Sequence, residues 1–211
     1  KLIMAFTTIN KSTDYFNTLT YTGDDGTNRS ITGVGFQPDF IWFKDRSNAF
    51  NHYLFDIIRD GQTYYISSNT NAGEATDTTS LKSMDSDGFT VGASAGVNGN
   101  NNNYVAWNWK ANGTGAANTA GSINSTVSVN TTAGFSVLKY TGTGSAATVG
   151  HGLGVKPDMI FSKPYSSTGD WNIYHDSFSS QQRIKLNSTG AVSTNSGIFS
   201  SLPTSPLVNI G

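Results

Sequence analysis

The sequence predicts an all-β protein made of two tandem antiparallel β-sandwich repeats of the jelly-roll or lectin-like kind. The first observation is an internal repeat, in which residues 16–44 match residues 135–163 at a single offset of 119, with eleven identities in 29 positions. The second is composition, because charged residues make up only 13% of the chain and Gly, Ser, Thr and Asn take their place. That mixture is poor in helix formers and favours short strands joined by turns.

The first repeat is assigned to residues 15–111, after an N-terminal arm of residues 1–14. Its strands are predicted by short apolar runs separated by turn residues such as Asp60-Gly61, and these runs lie at 16–21, 40–44, 53–56, 63–67 and 88–91. The close spacing of the runs favours antiparallel sheets over βαβ units. Residues 72–84 form the stretch whose composition tolerates a short helix.

Residues 104–110 predict the most regular strand of the chain. Successive side chains of a strand point to opposite faces of its sheet. One face of this strand therefore carries Val105, Trp107 and Trp109, and the other carries Tyr104, Ala106 and Asn108.

The two repeats are predicted to be joined by residues 112–133, which are rich in Gly, Ala, Asn, Ser and Thr. Within this linker, Val127 and Val129 suggest a short strand that packs on the second repeat. The second repeat is assigned to residues 134–211.

The second repeat is expected to be incomplete. Residues 207–210 match residues 88–91 at the same offset of 119, but no counterpart of the strand at 104–110 follows them. Either a continuation of the native chain or a neighbouring subunit would supply that strand by addition to a sheet edge.

The motif Gly-x-Gly-x-x-Pro-Asp occurs twice, from Gly33 to Asp39 and from Gly152 to Asp158. A dinucleotide-binding loop would need a third glycine and a following helix, whereas an apolar, strand-like run follows here. The motif therefore predicts a tight turn into a core strand, in which glycine relieves backbone strain and proline presets φ.

Residue types that commonly act in catalysis form no recognisable motif in this sequence. The chain has no cysteine, and its histidines, at 52, 151 and 175, share no short spacing. We therefore predict no enzyme activity, no catalytic residues and no cofactor. If the chain did cleave glycans, the carboxylates to test would be Asp56, Glu74 and Asp176.

The segment Asp85-Ser86-Asp87-Gly88 resembles the start of a calcium-binding loop. The twelfth position of such a loop would hold a glutamate, but here it is Gly96. A turn with Asx hydrogen bonds is the favoured interpretation, and calcium binding at Asp85 and Asp87 is the alternative. No metal site is predicted.

Charge and hydropathy exclude two classes of partner. The net charge is −1 and no segment is dense in Lys or Arg, so the footprint of a nucleic-acid-binding protein is absent. No apolar run approaches the length of a membrane span, so membrane insertion is not expected.

Aromatic side chains are the remaining candidates for ligand contact. At alternating strand positions they are more often core residues, so Trp42, Trp107 and Trp109 are assigned to the core. Trp171 follows a turn-rich segment and is expected to be the best exposed of the four tryptophans. The candidate contacts for a glycan or a protein partner are Trp171, Tyr165, Asn101 and Asn102.

Four segments together carry a resemblance to a known family, and these are residues 31–44, 54–56, 89–91 and 104–111. The chain resembles virion structural proteins, often labelled tail-fibre or fibre-like, of marine tailed bacteriophages. The likeness covers most of residues 4–211. In such relatives a strand like that at 104–110 and a further C-terminal segment follow the second repeat.

The resemblance implies a non-enzymatic structural component of an extracellular virion, such as a fibre, a spike or a capsid decoration. Expected partners are other virion proteins and further copies of the chain in a symmetric homo-oligomer. The resemblance names no site residues.

The alternative function is a lectin-like carbohydrate-binding module that adsorbs to a host surface glycan. It predicts exposed aromatic residues near Trp171 or along residues 98–103. Saturable sugar binding would favour this alternative, whereas regular contacts between subunits would favour the structural role.

Overall fold

The computed structural model describes residues 9–59 and 62–211. Residues 1–8 of the expected arm and the expected turn at Asp60-Gly61 lie outside the described residues. The all-β prediction is confirmed, because the strands form several antiparallel sheets. Helical structure in the described residues is limited to single turns at Ser12–Asp14, Ile57–Arg59 and Ala95–Asn98, the last of which we call α1. None of them has the length and apolar character that a membrane crossing requires.

Repeat 1 contains nine strands within the described residues. They are β1 (Phe16–Thr22), β2 (Arg29–Thr32), β3 (Phe40–Asp45), β4 (Tyr53–Asp56), β5 (Tyr64–Tyr65), β6 (Ala75–Thr76), β7 (Leu81–Asp85), β8 (Gly88–Val91) and β9 (Asn103–Trp109). Four of them form a sheet in the order β1-β9-β3-β4, and three form a second sheet in the order β2-β8-β7. β5 and β6 pair with each other. Residues 72–84, whose composition tolerates a short helix, instead contain β6 and most of β7.

The main core of repeat 1 is a buried apolar cluster to which both of its larger sheets contribute. Alternation along β3 buries Ile41 and Phe43 and leaves Trp42 between them half-buried. They pack with residues of the second sheet, including Ile31, Phe89 and Val91. Full burial of each such side chain contributes roughly 1.5–3 kcal/mol to stability.

The two faces predicted for the strand at 104–110 are confirmed. Tyr104, Ala106 and Asn108 are buried in β9. Trp107 and Trp109 are half-buried on the opposite face, where Trp109 contacts the rings of neighbouring strands. β9 is antiparallel to both of its neighbours and pairs with all of β1 and all of β3.

Repeat 2 and the segment before it contain the other nine described strands. They are β10 (Ala116–Asn118), β11 (Ser125–Asn130), β12 (Phe135–Tyr140), β13 (Ala147–Gly150), β14 (Met159–Ser162), β15 (Asn172–His175), β16 (Gln182–Lys185), β17 (Ser193–Thr194) and β18 (Leu207–Ile210). The sheets have the orders β10-β11-β12, β13-β18 and β14-β15-β16-β17.

The offset of 119 residues relates the strands of the two repeats as well as their sequences. It places β4 on β15 and β8 on β18 residue by residue, and it places β1 on β12 and β3 on β14. No strand in the described part of repeat 2 corresponds to β9.

The segment expected to link the repeats contains two strands, β10 and β11. The expected strand at Val127 and Val129 is confirmed as part of β11, which pairs with β12 along its whole length. β10 extends the same sheet, because Ala116 pairs with Val127. The segment therefore belongs to the sheet structure beside repeat 2 rather than to a structureless connection.

The two repeats contact each other through a small apolar cluster. Trp171 of repeat 2 is only 5% exposed and packs with Leu54 and Ile66 of repeat 1. Its indole Nε1 donates a hydrogen bond to the Ser67 carbonyl oxygen at 2.8 Å. Phe135 of β12 stacks on Trp109 with ring centroids 6.1 Å apart. These contacts make the two repeats one packed unit.

Replacing Trp171 with alanine is expected to lower the free energy of unfolding by about 3–5 kcal/mol, because it removes a buried ring from between the repeats. The milder variant Trp171→Phe should cost about 1–3 kcal/mol, since it leaves the Ser67 carbonyl without its donor. Denaturant unfolding measures both. Phe50→Ala is the control, because Phe50 is 40% exposed, and an equal loss for Phe50→Ala and Trp171→Ala would contradict the buried position of Trp171.

Candidate functional site

Two of the four predicted contact residues lie at the boundary between the repeats. The expectation that Trp171 is exposed is wrong, because its ring fills the apolar cluster with Leu54 and Ile66. Tyr165 is half-buried, and its carbonyl oxygen accepts a hydrogen bond from the Glu74 backbone at 2.6 Å. The sequence gives no signal for this contact, because the two partners are about 90 residues apart in the chain.

The other two predicted contact residues belong to the loop before β9. Asn101 is exposed and has a φ of 59°, and its backbone N–H donates to the Gly23 carbonyl oxygen at 2.9 Å. Asn102 donates from its side-chain amide to the Asp45 carboxylate and to the Tyr104 hydroxyl, both at 3.3 Å. The amide of Asn102 thus holds the loop in place, and the structure leaves Asn101 as the exposed member of the pair.

The acidic turn joins β7 to β8 as a tight hairpin, and its carboxylates bind other partners than the backbone N–H two residues on that an Asx turn would use. The Asp87 carboxylate accepts from the backbone N–H groups of Gly33 and Gly35, the latter at 2.6 Å. The Asp85 carboxylate accepts from the Thr90 hydroxyl at 2.8 Å. Across residues 9–59 and 62–211, no three His, Cys, Asp or Glu side chains are grouped closely enough to hold a metal ion.

Two of the three carboxylates named for glycan cleavage converge on one arginine. Arg59 lies 2.6 Å from the Asp56 carboxylate and 3.3 Å from that of Glu74. Asp56 and Arg59 are buried, so each charge offsets the desolvation of the other. Asp176 lies in repeat 2 and forms an ion pair with Lys156. The three carboxylates therefore do not share one cleft.

The most concentrated aromatic surface lies on the outer side of the sheet that contains β9. Trp42 of β3 and Trp107 of β9 are paired across the two strands, with ring centroids 6.1 Å apart and planes at 73°. Both rings are half-buried, as are His52 and Lys44 beside them. We call Trp42, Trp107 and His52 the outer aromatic face. The assignment of Trp42 and Trp107 to the core is thus only partly right.

His52 orients this face through a hydrogen bond. The Trp42 indole Nε1 donates to the His52 Nδ1 at 2.7 Å, which requires the neutral imidazole as acceptor. Burial, and then the nearby Lys44 ammonium, lower the pKa of His52. The histidine is therefore kept in the neutral form that the hydrogen bond needs.

Asp39, the last residue of the Gly-x-Gly-x-x-Pro-Asp motif, joins the start of β3 to the chain that follows β9. Its buried carboxylate accepts a hydrogen bond from the backbone N–H of Ala111 at 2.7 Å. Burial raises the pKa of Asp39, and hydrogen bonds from Ala111 and Gly113 only partly oppose that effect. The sequence signal for this role is the recurrence of Pro-Asp in both repeats, which was interpreted as a turn alone.

Large apolar side chains are exposed mainly on repeat 2. Among residues 9–59 and 62–211, six of the eight exposed ones lie there, and these six are Val155, Met159, Phe161, Leu186, Val192 and Leu202. The other two, Phe50 and Tyr64, lie on repeat 1. Because single exposed apolar residues are common and concentrations of them mark contact sites, repeat 2 carries the stronger signal for a partner.

The hydrogen bond between Trp42 and His52 is expected to persist at neutral pH and to break on acidification, because a proton on Nδ1 competes with the indole donor. The folded state holds the pKa of His52 below the unfolded value of 6.5. The stabilisation is therefore complete above pH 6.5 and is lost as the pH falls through the folded pKa. The Trp42 indole N–H resonance, followed by NMR against pH, measures this.

His52→Gln is the matched control for that titration, since its side-chain oxygen can accept from the indole but does not titrate in this range. A midpoint above pH 6.5, or the same titration in the variant, would contradict the role given to His52.

Comparison with known proteins identifies a family but no function. Residues 11–211 match the family model described as a domain of unknown function, DUF7483. No curated protein and no solved structure matches the chain. The match spans nearly the whole sequence, and the chain therefore belongs to the DUF7483 family.

Proposed function

We propose that this protein is a non-enzymatic structural component of a bacteriophage virion, such as a fibre, a spike or a capsid decoration. In this proposal the chain is a tandem of two β-sandwich repeats that assembles with further copies of itself and with other virion proteins. The observation that carries it is the concentration of exposed apolar side chains on repeat 2, because such surfaces mark sites of protein contact.

The use of the buried carboxylates supports a structural role. Asp39 and Asp45, which are both buried, accept hydrogen bonds from backbone N–H groups, and the exposed Asp87 does the same. Asp45 also accepts from the backbone of Asn48 and from the Asn102 side chain. These groups make the loops rigid, which suits a component whose surface has to meet the same partners repeatedly.

The internal repeat gives further support to assembly. Duplication has copied glycines, prolines, aromatic residues and turn residues, which are the parts that set strand order. The resemblance to virion structural proteins of tailed bacteriophages is the reason for proposing that this assembly takes place in a virus particle.

Assembly is tested by sedimentation over a range of concentrations, followed by electron microscopy of the complexes formed. We expect regular subunit contacts that engage repeat 2. Val192→Asp and Leu202→Asp should each weaken association by about tenfold or more, because each buries a charge in the contact. Phe50→Asp on repeat 1 is the matched control, since Phe50 and Leu202 are 40% and 43% exposed.

A chain that remains monomeric at all concentrations and is absent from particles of its source virus would contradict the structural proposal. Equal weakening by Phe50→Asp and Leu202→Asp would contradict the role of repeat 2 in assembly.

A second candidate function is glycan binding, and the outer aromatic face is the observation that favours it. Two half-buried indole rings at 73° to each other offer a stacking surface. A glycan array tests this candidate with the intact chain. Trp107→Ala should abolish any binding that uses this face, whereas Phe50→Ala should leave it unchanged.

A further inference from the structure

The outer side of the sheet β1-β9-β3-β4 changes from aromatic to polar along β9. Trp107 is paired with Trp42 on one side and with Thr18 on the other. Val105 precedes it by two residues and Asn103 by four, and these three side chains share the outer side because alternate residues of a strand share a face. The backbone distance from Asn103 to Trp107 is about 13 Å, at roughly 3.3 Å per residue.

A cavity of about 160 Å³ lies at the polar end of this surface. It is lined by Thr20, Tyr21, Thr22, Arg46, Asn103 and Tyr104, and we call it the polar cavity. Tyr104 is buried and Tyr21 packs against the core, so the side chains that can meet a ligand are those of the other four residues. Because a water molecule takes about 30 Å³ in the liquid, the polar cavity has room for an ionised group and several waters.

The polar cavity contains donor groups that the protein itself does not use. The Thr22 hydroxyl donates to the Asn103 side-chain oxygen at 3.1 Å. Within residues 9–59 and 62–211, the Asn103 amide nitrogen, the Thr20 hydroxyl and the Arg46 guanidinium have no partner. Unused donors that converge on one cavity favour a ligand that is rich in acceptor oxygens.

The charges beside the polar cavity are positive. Lys44 lies on the outer side of β3, and the exposed Arg46 follows two residues later. The Lys44 ammonium donates to the backbone carbonyl oxygens of Asp45, Asn48 and Phe50. Asp45 lies between the two cations in the chain, but its side chain is buried on the opposite side of the sheet. In the described part of the chain, neither cation forms an ion pair with a carboxylate.

The four strands, all of which the structure describes, place no exposed carboxylate on this side of the sheet. β1 and β9 contain no Asp or Glu. Asp56 of β4 lies next to Phe40, but it is buried and forms an ion pair with Arg59. The positive potential of Lys44 and Arg46 is therefore not opposed on their own face, which favours an anionic ligand.

We propose that the outer aromatic face and the polar cavity together bind one acidic oligosaccharide, whose uronic acid carboxylate pairs with Arg46. The inference rests on the glycan-binding candidate, because it states the class of glycan for the same face. The planar guanidinium of Arg46 matches a carboxylate in a bidentate pair. The Asn103 amide and the Thr20 hydroxyl donate to sugar oxygens, and a sugar ring lies on the Trp107 indole.

The length of the surface requires an oligosaccharide rather than a single sugar. The aromatic and polar ends are separated by about 13 Å of β9 backbone, so one sugar ring cannot contact Trp107 and place its carboxylate on Arg46. Binding at both ends also explains why neither end needs to be a deep pocket.

The probe is a short oligomer of galacturonic acid, added to the intact 211-residue chain. The matched control is the methyl ester of the same oligomer, which has the same rings but no charge. We expect calorimetry to show one bound oligomer per chain, with the ester at least about tenfold weaker. The affinity for the acid should fall as salt is added, because salt screens exposed charges.

Variants locate the two ends of the bound oligomer. Arg46→Gln should weaken binding of the acid by about tenfold or more and leave binding of the ester unchanged. Trp107→Ala should weaken both oligomers, because ring stacking does not depend on the carboxylate. Lys82→Gln is the matched control for Arg46→Gln, since it removes one positive charge from β7 in the other sheet of repeat 1. Circular dichroism of each variant checks that the fold is retained.

Equal affinity for the acid and the ester would overturn the acidic ligand, and equal effects of Arg46→Gln and Lys82→Gln would overturn the role of Arg46. A sulfated oligosaccharide without carboxylates that bound as tightly as the galacturonate would overturn the assignment to a uronic acid. Array binding that Trp107→Ala abolishes, without galacturonate binding, would overturn this inference alone and leave the glycan-binding candidate standing. An array without any bound glycan, together with no galacturonate binding, would overturn both.

Discussion

The pairing of β9 with two strands at once is the constraint on which repeat 1 depends. β1 and β3 run in the same direction and would be separate edges without the antiparallel strand between them. β9 also brings the Tyr104 and Ala106 side chains to the core and the Trp107 ring to the outer face. One strand of seven residues therefore contributes both to the core and to the half-buried outer aromatic face of the repeat.

Hydrogen bonds to buried carboxylates fix the loops of the protein, as β9 fixes the strands of repeat 1. A buried charge is costly unless it is paired or hydrogen-bonded, and Asp39, Asp45 and Asp56 meet that condition through backbone N–H groups. The bond from Ala111 to Asp39 also joins the chain after β9 to the start of β3. Asn98, which is also buried, does the same for the loop at Asp24 and Gly26 with its side-chain amide. The protein thus uses short polar side chains to hold its many turns.

The alternation of side chains along the sequence predicted the faces of a single strand, but it could not predict contacts between the two repeats. The alternation in residues 104–110 was sufficient to assign both faces of β9, because every second side chain must share a face. Trp171 carries no such signal, since its burial depends on Leu54 and Ile66, which lie more than 100 residues earlier. β10 and β11 were partly missed because their small polar residues resemble a linker, although β12 supplies them with a pairing partner. His52 was missed as well, because it lies in the loop before β4 while its indole partner lies ten residues earlier on β3.

The two repeats share many of their turn residues but differ in their core residues. Phe43 and Leu81, both buried in repeat 1, correspond to Ser162 and Ser200 in repeat 2. The core of repeat 2 is accordingly a small cluster around Tyr174. A repeat with so little apolar burial of its own depends on contacts at its borders, because burial is the main source of stability. Trp171 provides such a contact on the side of repeat 1, where it packs with Leu54 and Ile66.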